Sequence, residues 1–492
     1  MAQQYNKVVF WFRNDLRLAD NVALYQALSQ SETVVPVFVF DTQQFRSVDL
    51  GIKGFSMPKT GAHRAKFLME TVADLRDNIR AIGGDLVIRT GKPQEAVMEL
   101  VRQTGADAVF ASEEVTYEEV KVDRALEDKL KEEGKELLLF WQMTLLHVDD
   151  IPFSMEELPD VFTQFRKKSE KFAEPRPTVN APTLMPSLPE GIDAGVLPSY
   201  SALGVSEPEY DSRSVLQYKG GETAGMERVM EYIWDHDCLK EYKKTRNGMM
   251  GADFSSKFSA WLSNGSLSPR SVYEQVKQYE AEREKNSSTY WLIFELLWRD
   301  YFRYVALKYE DKIFHLEGTQ GKPVFLKEDV AKFERWIEGS TGVPYIDANM
   351  RELNKSGYMS NRGRQNVASF LVKDLEINWT WGAAYFESLL IDYDVCSNWC
   401  NWNYTAGVGN DPREDRYFNI ISQGTRYDDS GEYVRHWIPE LGDINGKKVH
   451  FAPELDEHVL QNAGVKLGDT YPKPMVNIAK WMKKEDQNKF KR

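Results

Sequence analysis

Glu295 and Arg299 stand four residues apart in WLIFELLWRDYFRY, beside an apolar stripe of Phe294, Leu297, Trp298, Tyr301 and Phe302. On a helix that spacing either closes an i,i+4 ion pair or presents a carboxyl and a guanidinium to something outside the helix. Among so many aromatics, a carboxyl without a partner is costly to desolvate. A second group, Asp253-Phe254-Ser255-Ser256-Lys257-Phe258-Ser259, follows Gly248 and Gly251 and is read as opening a helix. Its hydroxyls, first-turn N–H groups and lysine suit a pyrophosphate, although a serine-rich helix cap has the same composition. The third group, from Gly357 to Tyr404, holds two arginines with an amide beside them, a Trp pair, an Asp-x-Asp, a further amide and an aromatic cluster. So many rings among so many polar groups predict a pocket for something flat, polar and redox-active, read here as the wall of a flavin site.

These groups need elements to hold them. At 492 residues the chain is too long for one ordinary core, so two domains are expected. Between Lys7 and Trp141 the runs VVFWF, TVVPVFVF, GDLVIRTG, ADAVFAS and ELLLFW alternate with helix-length segments, which predicts a doubly wound parallel sheet. FRNDLRLADN follows the first strand instead of a glycine-rich phosphate loop, so a plain dinucleotide-binding domain is not supported. From Ile151 to Tyr210 the periodicity fades and nine of the 20 prolines gather, the pattern of a semi-rigid connector. From Glu222 onward the pattern is helical, and eleven of the 13 tryptophans fall there.

No run reaches the roughly 18 apolar residues of a membrane span, and the first strand begins too early to leave room for a leader. Cys238, Cys396 and Cys400 make no disulfide framework and, with no metal site expected, fit a reducing cytoplasm. A net charge of −13 argues against a generally basic nucleic-acid coat. Locally, however, Arg351, Lys355, Arg362 and Arg364 face Glu352 alone, so a phosphate backbone is permitted there.

FWFRNDLRLADN, DFSSKFSAWLSNGSLSPR, FELLWRDYFR, DANMRELNKSGYMSNRGRQNVASFLVKDL, LLIDYDVCSNWCNW, GVGNDPR and GEYVRHWIPEL, in this order, together resemble the photolyase/cryptochrome family and specifically its DASH-type cryptochromes. The resemblance implies an N-terminal α/β antenna domain over residues 1–150, a connector over 151–215 and an all-α FAD-binding domain over 216–492. By motif, Tyr242, Ser255, Ser256, Lys257 and Ser259 resemble the flavin's phosphate contacts. Arg299, Arg364, Asp392, Asp394 and Asn398 resemble the groups around its ring and ribitol. Arg364 and Asp392 are expected to form a buried pair, and Asn398 to meet the flavin N5.

Family members split cyclobutane pyrimidine dimers flipped out of DNA, using an electron from light-excited reduced FAD. Glu295 resembles the carboxyl that binds the dimer. Trp298, Asn361, Arg362, Gln365 and Tyr404 resemble cavity and phosphate contacts, with Gln423 on the strand backbone and Asn361 also beside the cofactor. Trp402 and Trp379 match the two inner members of an electron relay. The outer tryptophan's place falls on Leu326, ten residues before Trp336, so either Trp381 or a surface tyrosine substitutes or photoreduction is slow. EEVTYEEVKVD resembles the segment that contacts a 5,10-methenyltetrahydrofolate antenna, with Glu119 as its acidic group; a solvated acidic helix face is the plain alternative.

Two departures bear on substrate. Gln365 stands where a duplex photolyase has Met, and Tyr404 where it has Trp, which makes the cavity more polar and favours single-stranded DNA. None of the seven histidines lies in YMSNRGR, where relatives acting on the (6-4) photoproduct carry them. The expectation is therefore a monomeric, blue-light-driven DNA lyase. Its rival is a photoreceptor that binds FAD and DNA or RNA and signals, a reading that the short basic end MVNIAKWMKKEDQNKFKR disfavours.

Overall fold

The computed structural model describes residues 4–410 and 417–482. The end of the GVGNDPR motif and the basic segment beyond Met482 lie outside the described residues. The strands are β1 (Tyr5–Phe12), β2 (Ser31–Asp41), β3 (Ser47–Val48), β4 (Met57–Pro58), β5 (Val87–Gly91), β6 (Ala108–Ser112) and β7 (Glu136–Phe140). β3 and β4 form a small antiparallel pair. The other five make one sheet in the order β5-β2-β1-β6-β7, with every neighbouring pair parallel.

Along β1, Val8, Phe10 and Phe12 pack on one side with Leu75 and Ile79, while Val9 and Trp11 pack on the other with Val97, Val101 and Leu126. Both faces of this central strand are buried, which is why its sequence shows no polar alternation. Strand order reverses at β1, which sets the carboxyl ends of β1 and β6 side by side. Arg13, Asp15 and Glu114 lie there.

The helical half forms one apolar cluster that also takes in Phe67, Val115, Trp141, Leu145 and Leu146. Asp300, buried on the Ser287–Tyr309 helix, accepts the backbone N–H groups of Leu145 at 2.9 Å and Leu146 at 2.8 Å. The proline-rich stretch holds more structure than its periodicity predicts, because Phe162–Phe172 is a helix. Its buried face is only Phe162, Phe165 and Ser169, too short a stripe to stand out between prolines.

Candidate active site

The Ser287–Tyr309 helix starts from a capping box at Asn286 and Thr289 and carries Glu295, Trp298, Arg299 and Arg303 into the interior. Glu295 and Arg299 do not pair with each other. Glu295 Oε1 instead accepts from Arg246, 2.6 Å away, and from the Trp291 indole at 3.0 Å. Burial pushes the Glu295 carboxyl up, and Arg246 opposes that shift. Arg299 donates to the carbonyls of Met143 and, at 3.0 Å, Leu262. Burial first and Arg303 second pull its guanidinium down to about 10. Sequence reasoning missed Arg246 because its partner lies 49 positions away on another element.

The Ser255–Ser259 segment is less helical than its composition suggests. A 3-10 turn at Ala252–Phe254 runs into extended Ser255, then Lys257 at φ 63, and only then the short helix Ser259–Ser263. Buried Arg228 fastens this path through the carbonyls of Ala252 (3.0 Å) and Ser256 (3.2 Å) and the Asp253 carboxylate (3.0 Å). Tyr242, Ser256 and Lys257 are buried, whereas Ser259 is exposed. Lys257 Nζ lies 3.3 Å from the Tyr358 hydroxyl and 4.8 Å over its ring.

The expected pair is present: Arg364 Nη2 meets Asp392 Oδ2 at 2.8 Å, and Arg364 Nε donates to the Met359 carbonyl at 2.9 Å. Burial pulls the guanidinium down, but Asp392 outweighs it and the net direction is up. Asp392 Oδ1 is buried with no partner among the described residues. Asp394 caps the Val395–Ala406 helix by accepting the Ser397 N–H at 2.7 Å, and its other oxygen faces Arg303 at 3.3 Å. Burial alone would raise its pKa; Arg303 and then Arg299 bring it below the usual carboxylate range. Asn398 is buried one turn further on and donates to the Ala383 carbonyl at 3.0 Å, which leaves its oxygen as an acceptor.

Residues expected to meet a nucleic acid fall into two groups, one around Trp298 and one around Arg362. Trp298 is stacked on its inner side by Phe162 at 3.7 Å and met edge-on by Tyr404 at 6.1 Å. Arg362 donates to Gln365 at 2.8 Å and to Asn247 at 3.1 Å, and lies 4.7 Å over Tyr427. Asn361 is exposed at the start of its helix, and Gln423 is half-buried with its Oε1 unpartnered among the described residues.

Trp402 and Trp379 sit on adjacent helices and are both buried. Trp402 packs against Phe386 at 5.2 Å and Trp336 at 6.3 Å, and Trp379 against Trp399 at 5.9 Å. Leu326 packs on the same core, and Trp381 is buried against Phe333 at 5.4 Å. At the start of the Tyr117–Glu132 helix, Glu119 accepts from the Thr116 hydroxyl, and burial followed by repulsion from Glu114 pushes its carboxyl up to about 7.

Residues 8–183 match the family model for DNA photolyase, and residues 291–491 match the FAD binding domain of DNA photolyase. The chain belongs to the photolyase/cryptochrome family. It is 51% identical over 471 residues to a cryptochrome DASH of Gloeobacter violaceus, covering 96% of this chain and 93% of that one. A Danio rerio cryptochrome DASH is 48% identical, with 96% and 91% covered. The fold superposes on a Synechocystis cryptochrome with a TM-score of 0.93 at 47% identity, covering 100% and 99%. A class III photolyase from Agrobacterium tumefaciens gives 0.85 at 29% identity, covering 99% and 96%. The residues present fit the family's FAD: an orphaned Asp392 oxygen and an acceptor at Asn398 are groups that a ribityl chain and a flavin ring would satisfy, beside the half-buried guanidinium of Arg299.

Proposed function

We propose that this chain is a blue-light-driven lyase that splits cyclobutane pyrimidine dimers, preferentially in single-stranded DNA. The arrangement at Glu295 carries the reading. Arg246 and Trp291 both engage Oε1, so the carboxylate is oriented and its second oxygen remains for the polar edge of a flipped base. Trp298, backed by Phe162, gives that base an apolar wall.

When bound and reduced, FAD supplies the electron that light delivers to the dimer and that returns after the ring opens. The protein's share is to bind, orient and exclude water. Lys257 and the serines around it would hold the phosphates, Arg299 and the Arg364–Asp392 pair would face the polar atoms of the ring and ribitol, and Asn398 would accept from a protonated N5. Trp402 and Trp379 stand as inner donors for photoreduction. Glu119, whose carboxyl burial pushes up to about 7, suits the donors and acceptors of a pterin edge and supports a methenyltetrahydrofolate antenna.

Preference for a single strand follows from Gln365, which Arg362 holds, and from Tyr404, which offers less stacking area than an indole. Flipping a base from a duplex costs a few kcal/mol that an unpaired strand does not demand. The three free cysteines fit a reducing compartment such as the cytoplasm.

The test is Glu295→Gln, loaded with reduced FAD. A charge-assisted hydrogen bond is worth about 1.5–3 kcal/mol, so dimer splitting should slow roughly 10- to 100-fold while flavin content is unchanged. Equal rates would remove Glu295 from the reaction. Splitting by neither protein would favour a photoreceptor that binds FAD and signals.

A further inference from the structure

The helix Phe162–Phe172 runs antiparallel along the helix that carries Glu295. Phe162 meets Trp298 and Phe294, Arg166 lies 5.5 Å over Phe294 and donates to the Tyr290 hydroxyl at 2.7 Å, and that hydroxyl donates to Glu170 at 2.5 Å. Advancing along one helix therefore retreats along the other, away from the dimer cavity. Along this seam Tyr290, Trp291, Phe294 and Trp298 are all half-buried, and Trp291 stacks on Phe294 at 4.5 Å. On the other side of the stripe Lys243 lies 4.4 Å over Trp291.

The charge here opposes the chain's average of −13. The Phe162–Phe172 helix carries Arg166, Lys167, Lys168 and Lys171 against Glu170, whose charge Arg166 holds at 2.6 Å. At about 100° per residue, Lys167 falls next to Glu170 on the side of the aromatic stripe, while Lys171 points toward solvent with its Nζ 4.9 Å over Phe172. Lys168 falls on the opposite edge, 5.2 Å over Phe153. Lys167 and Lys171 are exposed, and among the described residues no carboxylate pairs with either.

We propose that this stripe and its two basic edges form a track for the undamaged part of a single DNA strand outside the dimer cavity. The parts of these half-buried rings left open offer partial stacking surfaces to bases of any sequence, and flanking lysines follow the phosphates. A duplex already stacks its bases internally and would gain only the phosphate contacts. The proposal rests on DNA being the substrate, and it extends single-strand preference from the cavity to the surface that leads to it.

The experiment measures binding of an undamaged oligothymidylate to the FAD-loaded protein in the dark, by fluorescence anisotropy over a range of salt. Each lost phosphate contact should flatten the log–log salt slope by about 0.7. Lys167→Gln with Lys243→Gln should flatten it by about 1.4, and Lys168→Gln should leave it unchanged. A dimer dinucleotide, too short to reach the track, should be split by the double variant at the wild-type rate. An unchanged slope in the double variant, or an equal change in Lys168→Gln, overturns the track. If the slopes shift as expected but the wild type splits no dimer, the track stands and the repair reading fails.

Discussion

Asp392→Asn isolates the pair on which the flavin wall depends. Asp392 keeps 3% of its side chain exposed and Arg364 keeps 24%, with 2.8 Å between them. Removing one partner of a fully buried pair costs about 3–5 kcal/mol. Because the arginine retains some access to water, a smaller loss of about 2–3 kcal/mol is expected here. The variant keeps the shape of the side chain but leaves a guanidinium whose other described bond is to the Met359 carbonyl. Urea denaturation of the flavin-free protein measures the loss, and retention of FAD through gel filtration measures the site. Arg364→Met with Asp392→Asn removes both charges and should recover part of the stability but not the flavin. If the single variant unfolds within about 0.5 kcal/mol of the wild type and keeps a full complement of FAD, the pair is not what holds this wall together.

Gly382→Ala should destabilise by about 1–3 kcal/mol, because its Cβ would lie 2.3 Å from Trp402 Cη2; near-ultraviolet circular dichroism and urea melts would report it. Glu119 gives a pH signature. Its folded carboxyl sits near 7 against about 4.3 for an unfolded glutamate. The stability it contributes is therefore full below pH 4 and is lost as pH rises through 7, by about 2 kcal/mol after solvent screening is allowed for. Glu119→Gln should flatten that decline in urea midpoints measured from pH 5 to 8, and should lower affinity for the folate. Gln365→Met with Tyr404→Trp should raise dimer splitting in duplex DNA relative to single strands, and an unchanged ratio would place the discrimination elsewhere.

Features that depend on local pattern were legible in the sequence. The continuous apolar runs of β1, β2 and β6 announce strands buried on both faces, and the register of Trp298, Tyr301 and Phe302 announces the face of their helix. Asp394 could also have been read as a cap, since Ser397 follows it by three residues. Partnerships between distant segments left no such mark. Arg246 claims Glu295, Arg228 fastens the Ser255 segment and Phe162 backs Trp298, each from another element whose local sequence does not signal the contact. The i,i+4 pair of Glu295 and Arg299 fails for the same reason: each finds a better-placed partner across the core. The Phe162–Phe172 helix hid among prolines because only three of its positions are buried.

The central claim is that this protein uses light to restore pyrimidines in an unpaired strand. The direct measurement is recovery of thymine from a thymine-dimer oligonucleotide, single-stranded and duplex in parallel, with FAD reduced beforehand and blue light on or off. The account predicts light-dependent recovery that is much faster in the single strand. Reduced FAD bound at full occupancy with no recovery from either substrate would contradict it.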